Sequence, residues 1–361
     1  MKMDEKTFLI FNIKINNRDR PKKIEYISFA KIIASYGVIV LHINHFWYFN
    51  LKKKKEWQIA NIYETLFYFS VPFFALSIGA TLLNFKERYG LYEYNKRRFI
   101  KVFIPLIGWT FILYLYKVYI LKNIKKENFN FYSLWNYFFL SKIYHIFGSL
   151  QIFLKTYMLI PLLAYEEAKN KQKIYIYYFF FLLTTQTIIP YIIRLFGEKI
   201  VFIYKMEIGY LIYIFAGNII HENNFSFKIT ITIYILGIFS FIIHLIGTKT
   251  LTFKYNRIIS LHKGYLNLPC IIYSCSLFLF LKENYHLIFG KINKKYINKI
   301  GSLTLGPFFM HLAIKETIEN FTYLNKISSF NLLFKSFIIF LISIALSLLL
   351  KNIILLNFLV P

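Results

Sequence analysis

Long apolar runs alternate along the chain with short polar segments rich in lysine. Runs long enough to cross the roughly 30 Å hydrocarbon core of a bilayer lie at Tyr26 to Phe49, Ile62 to Leu83, Phe99 to Leu121, Ile146 to Ala164 and Ile174 to Ile193. They continue at Ile208 to Ile220, Ile229 to Ile246, Tyr265 to Leu281, Ile300 to Ile318 and Leu332 to Leu356. The pattern predicts an all-α integral membrane protein of about ten transmembrane helices. Phe131 to Leu140 is too short to span and is expected to be interfacial or re-entrant. Residues 1–23 form a basic head and residues 24–361 one membrane domain, undivided by linkers or repeats. The head lacks the apolar core and small-residue cleavage site of a signal peptide, so the first helix is expected to direct insertion.

Lysine and arginine placement orients the chain. Lys14, Arg18, Arg20, Lys22 and Lys23 in the head, and the loop Lys86 to Lys101, favour an N-terminus in the cytoplasm. An even helix count then returns the C-terminus there. The run Lys52 to Lys55 falls on the opposite side and weakens the bias.

Composition agrees with this picture. At 57% apolar and 21% aromatic residues, with a mean hydropathy of +0.48, the chain has more apolar surface than a soluble fold could bury. The net charge of +27 would suggest nucleic acid in a soluble protein, but no basic stretch here belongs to a reading module. Cys270 and Cys275 stand five apart in an apolar run, which indicates neither a disulfide framework nor a zinc site.

Ionisable residues within the apolar runs are the candidates for chemistry, because burial in lipid is costly without a partner or a task. The first run carries Lys31 near one end and His42 near the other, about 16 Å apart along a helix, too far for direct contact. A neutral imidazole in a wet cavity can act as a general base; the structural alternative is a polar strut to a neighbouring helix. His45 lies a turn further on. Ser28 and Lys31 have S-x-x-K spacing, although a lysine snorkelling at the helix start explains it equally well. Arg97, Arg98 and Lys101, with Lys96, could hold phosphates or satisfy the positive-inside rule. Glu64 is an isolated carboxylate at modest depth, in the helix that also holds Pro72 and the small residues Ser77, Gly79 and Ala80. His145, Glu207, His311, Lys315 and Glu316 are further polar positions whose partners the sequence leaves open.

Several fragments, in this order, resemble the acyltransferase 3 family of integral membrane acyltransferases. Lys31 and His42, with ten residues between them, resemble its opening motif. SVPFFALSIGATLL (Ser70 to Leu83) resembles its second-helix run, and Arg98, Lys101 and Pro105 its basic R-x-x-R element. YHIF (Tyr144 to Phe147) and IGSLTLGPFFMH, ending at His311, resemble two later elements. The sequence departs from the family pattern at Ser28, where Asp is usual, and at Lys31, Ala80, Thr81, Thr304 and Pro307.

The resemblance implies an O-acyltransferase of the inner (plasma) membrane that moves an acyl group, acetyl by preference, from acyl-CoA (acetyl-CoA) to a cell-surface polysaccharide or lipid-linked glycan. It implies His42 as general base, with Lys31 assisting. Arg98, Lys101 and Arg97 would hold the donor, and His145, His311 and His45 would line the acceptor side. It implies no metal or prosthetic group. The readings it competes with are a transporter using Glu64, Glu207 and the histidines as a relay, and a noncatalytic descendant of the same fold.

Overall fold

The computed structural model describes residues 7–8, 13–14, 24–44, 47, 51, 53–122, 156–164, 171–196, 209–321, 331–353 and 356–360. Among them, the only strands are Thr7–Phe8 and Ile13–Lys14, paired antiparallel. The helices are α1 (Glu25–Ile43), α2 (Lys54–Glu87), α3 (Leu91–Ile120), α4 (156–163), α5 (Lys171–Leu195) and α6 (Leu211–Glu222). They continue with α7 (Phe227–Tyr255), α8 (Leu268–Phe289), α9 (Lys294–Gly301), α10 (Leu305–Phe321) and α11 (Leu332–Asn352).

Six of these, α1, α2, α3, α5, α7 and α11, are long and apolar enough to cross a membrane. The expected sixth run is a helix of only 12 residues, α6. The expected ninth run splits into α9 and α10, because Gly301 presses on Ser28 and Ser302 and Thr304 turn back to the carbonyls of Lys299 and Gly301. The Phe131 to Leu140 segment and the start of the expected fourth helix lie outside the described residues.

Prolines account for three of the irregular turns. Pro72 has no N–H to offer the Tyr68 carbonyl, and α2 breaks at Tyr68 and Phe69. Pro105 and Pro190 each follow a π-helical turn, Phe99–Phe103 and Leu183–Ile188. There the Ile104 and Ile189 N–H groups bond five residues back, to Phe99 and Thr184. The proline ring cannot sit over the carbonyl four residues earlier, so the helix widens ahead of it.

One apolar core runs through the described helices, with α1 at its centre, touching α2, α8, α9, α10 and α11. Of the most apolar stretch of each helix, 72% is buried in α2, but only 17% in α5 and 22% in α7. Those two form a rim whose Phe180, Phe181, Ile238 and Phe239 face outward, as lipid contact requires.

The closest approach is between α2 and α6. A Cβ on Gly79 would lie 1.9 Å from the Ile214 carbonyl oxygen, and one on Gly217 would lie 2.0 Å from that of Leu76. Only two glycines facing each other allow this backbone contact, a small-residue crossing of the kind that drives helix association in lipid. Gly79→Val and Gly217→Val are each expected to destabilise the bundle by about 1–3 kcal/mol or more, whereas Gly90→Ser, in open space at a helix N-cap, leaves it unchanged. Melting of the purified proteins in detergent checks this; equal melting temperatures for all three would show that the crossing is loose.

Candidate functional site

The polar end of α1 meets the middle of α10. His42 lies in its last turn, and the main-chain carbonyl of His42 accepts a 2.9 Å hydrogen bond from Lys315 Nζ of α10. His311 lies one turn before Lys315 on the same helix face, so this bond also brings His311 to His42, with ring centroids 5.2 Å apart and planes tilted by 42°. His311 is 1% exposed. Its Nδ1 is 2.8 Å from the Pro307 carbonyl, which can only accept, so Nδ1 carries the proton and a neutral His311 keeps its lone pair on Nε2. That Nε2 is buried without a hydrogen-bond partner. Pro307 itself lies in the first turn of α10, where a missing N–H costs nothing, and its carbonyl fixes the His311 tautomer.

His42 forms part of the wall of a cavity of about 250 Å3. Val38, Leu41 and Val71 supply its apolar side, and Asn44, Glu64, Tyr68 and Tyr265 the rest. Glu64 is 3% exposed, so it is buried rather than interfacial. Asn44 ends α1 and spends both amide hydrogens there: Nδ2 donates to the Ala60 carbonyl at 2.8 Å and to Glu64 Oε2 at 2.9 Å. Its Oδ1 is buried with no partner. Tyr68 and Tyr265 stack at 4.5 Å with planes only 16° apart, and the Tyr213 hydroxyl donates to the Tyr265 carbonyl.

Lys263 supports this wall from the loop between α7 and α8. Its Nζ donates to Asn61 Oδ1 at 3.2 Å and sits 4.2 Å from the centre of the Trp47 ring and 5.7 Å from that of Tyr68. Trp47 Nε1 donates to the same Asn61 oxygen at 3.2 Å, and Trp57 Nε1 donates to the Trp47 carbonyl at 2.9 Å. Burial pushes the Lys263 ammonium down to about 7, with the Glu64 charge opposing the fall.

The cations of α3 lie at the other end of the bundle. Arg97 Nε donates to Glu93 Oε1 at 2.7 Å, and its guanidinium covers the Tyr89 ring at 4.6 Å. The Arg98 guanidinium sits 5.8 Å from the Tyr94 ring and 5.6 Å from that of Tyr157, with its Nε buried and unpartnered. Lys101 is exposed on the π-helical turn. Tyr116, further along α3, reaches the Lys315 region through Ala313 O at 3.3 Å and Thr317 Oγ1 at 2.5 Å. Eighteen residues of helix between Arg98 and Tyr116 correspond to about 27 Å. Lys31 is half-buried, part-way along α1 between the two ends. Ser28 donates to Asn298 Oδ1 at 2.7 Å, which gives that serine a structural contact with α9.

The structure therefore joins His42 to His311 and Lys315, joins Glu64 to this site, and keeps Arg97, Arg98 and Lys101 apart from it. His45, His145 and Glu207 lie outside the described residues. Sequence reasoning missed Asn44, Lys263 and the Tyr68–Tyr265 pair. Asn44 had a signal, a polar residue directly after an apolar run; Lys263 had none, since a lone lysine in a loop is ordinary. Among the described residues, no group of three or more His, Cys, Asp or Glu side chains is placed to hold a metal ion.

The Lys263 shift has a measurable sign. The unfolded chain keeps this proton up to the ordinary value of 10.5, the folded protein only up to about 7, so unfolding takes up a proton in between. The contribution of this group to stability therefore rises with pH across that window. Lys263→Met is expected to flatten the rise of the melting temperature between pH 7 and 10; an unchanged slope would show that Lys263 titrates as a solvated lysine.

Neither a search of curated proteins nor one of solved structures returns a match. A family model described as an acyltransferase domain, of the acyltransferase 3 type, matches residues 24–352. That match runs from the helix carrying Lys31 and His42 through α11, so the chain belongs to the acyltransferase 3 family and is a multi-pass membrane acyltransferase.

Proposed function

We propose that the protein transfers an acetyl group from acetyl-CoA to a hydroxyl of a cell-surface polysaccharide or lipid-linked sugar. It would do so in the inner (plasma) membrane, with about ten spans and both termini in the cytoplasm. The observation that carries this reading is the pairing of His42 with His311 at a cavity wall, in a chain that matches the acyltransferase family over residues 24–352.

In this mechanism His42 takes the proton from the acceptor hydroxyl as its oxygen attacks the thioester carbonyl. The tetrahedral intermediate collapses with loss of the CoA thiolate, which is protonated as it leaves, giving an ester and free CoA. His311, held in one tautomer by Pro307, lines the same side and offers Nε2 as an acceptor. Arg98, Lys101 and Arg97 hold the donor phosphates at the cytoplasmic end by charge-assisted hydrogen bonds. The donor's extended arm carries its thioester inward from there. Lys31 meets it part-way, as a point charge that steadies the donor or the developing negative charge.

Acetyl content of surface glycans, measured by mass spectrometry at matched membrane abundance, tests the assignment. Deletion and His42→Ala are both expected to remove acetylation, the latter by about a hundredfold or more. Unchanged acetylation in the deletion strain would sink the proposal. Arg98→Ala is expected to raise the KM for acetyl-CoA while leaving that for the acceptor unchanged; the opposite pattern would place the donor elsewhere.

A further inference from the structure

Away from the His42–His311 pair, α7 carries a histidine that the transfer step leaves unused. His244 lies in a π-helical turn, Ile243–Gly247, of a helix that contains no proline to cause it. Although α7 belongs to the lipid-facing rim, His244 is 0% exposed, and neither ring nitrogen has a hydrogen-bond partner among the described residues. Thr248, one turn on, and Thr187, in the π-helical turn of α5, are equally buried, each with an unpartnered hydroxyl. The segment between α7 and α8 links the two helices. The His262 ring rests on Gly247, where a Cβ would lie 2.5 Å from Cδ2, and its Nδ1 is 2.6 Å from the hydroxyl of Tyr191, one turn past Thr187.

These side chains form a seam from the surface to the cavity wall. At its outer end His262 is half-buried, in a segment that also exposes Arg257 and Ser260. At its inner end the His244 ring meets Tyr68 edge-on, with centroids 5.1 Å apart and planes at 83°. Tyr68 also lines the cavity of His42 and Glu64, and Lys263 Nζ stands 5.7 Å from its ring. The titratable groups facing His244 are thus Tyr68 from α2, and His262 and Lys263 from the α7–α8 segment. A neutral imidazole presents one donor and one acceptor, and each threonine hydroxyl presents both. Water is the partner that matches such a set, and buried polar groups without protein partners call for it.

The two unpartnered nitrogens set His244 apart from His311. Pro307 holds His311 in one tautomer, so that ring can accept a proton on Nε2 but cannot pass one on from Nδ1 without breaking its bond. His244 can take a proton on one nitrogen and release one from the other. We infer that the seam is hydrated and carries the acceptor's proton from the His42 cavity to solvent at the α7–α8 segment, with His244 as the carrier and His262 at the exit. This rests on the transferase reading and adds the step that restores its base. The acceptor O–H proton passes to His42 as the ester bond forms, and His42 loses it to cavity water. His244 gains a proton on one nitrogen from that water and gives one from the other to water beside His262. The CoA thiolate takes its own proton from solvent at the donor end, so the reaction balances. Lys263, brought down to about 7 by burial, exchanges protons near neutral pH beside this route. A separate route is needed because the bound acceptor fills the cavity through which His42 would otherwise meet water.

Two measurements test the seam and its role, both on the full chain in lipid nanodiscs, with melting confirming the fold of each variant. In a background of Cys270→Ala and Cys275→Ala, Thr187→Cys and Thr248→Cys report hydration. Ag+ reaches a thiol only through water and then protects it from maleimide added after denaturation. Both thiols are expected to be protected about tenfold faster than that of Ser343→Cys, whose native hydroxyl is equally buried but bonded to the Ile339 carbonyl of its own helix. Equal rates at all three positions overturn the proposal. His244→Phe and His244→Gln test the relay, with acetyl-CoA as donor and polysaccharide from the deletion strain as acceptor. Glutamine keeps hydrogen bonds to water but carries no proton, so it would replace a merely structural His244 without loss. Both variants are expected to lower kcat about tenfold or more and to enlarge the solvent deuterium isotope effect, with both KM values unchanged. Full kcat in His244→Gln overturns the relay. Thiol protection needs no turnover, so the two readings fail separately. Intact protection in a wild type that forms no ester removes the transferase, and the relay with it. Acetylation that needs His42 but not His244 keeps the transferase and removes the relay.

Discussion

A helix that ends inside an apolar bundle leaves carbonyl groups with no intrahelical partner, and lipid offers no water to satisfy them. At the end of α1 the His42 carbonyl is satisfied by Lys315, from 273 positions further along the chain. That single bond does three things. It docks α10 on the central helix, gives a buried ammonium an acceptor, and sets His311 beside His42, because His311 and Lys315 are one turn apart. The site's geometry follows from helix termination.

The same constraint shapes the pocket next door. Glu64, Asn44, Asn61 and Lys263 are all buried, and each is held by at least one polar partner or charge. Buried polar networks of this kind are costly when a member is left unsatisfied, so an orphaned atom within one is informative. Asn44 Oδ1 and His311 Nε2 are such atoms, the first on a residue lining the cavity that His42 lines, the second on the residue paired with His42.

Separation of the cation patch from the histidines fits a division of labour along the membrane normal. Arg97 and Arg98 are packed against tyrosine rings at the start of α3, where Pro105 widens the helix into a π-turn carrying Lys101. His42 lies at the far end of the bundle. An elongated donor, held at one end and reactive at the other, is the kind of ligand this separation suits.

Apolar run length fixed the all-helical membrane class, since only chains that satisfy their own backbone groups survive in lipid, and that rule is written residue by residue. Lys31 and His42 on one helix, the Arg98–Lys101 pair before Pro105 and the small residues around Gly79 were legible for the same reason: each is a matter of local spacing. Where helices break was only partly legible; Pro72 marked a kink, but the split between α9 and α10 came from contacts with Ser28. Tertiary structure alone decided that His42 meets His311, that Glu64 is buried against Asn44, and that Lys263 folds back over Trp47. Those contacts depend on which helices become neighbours and in what register, and the register rests on close crossings such as Gly79 on Gly217. Spacing along one chain carries no information about that, because the partners lie on elements that meet only once the bundle has packed.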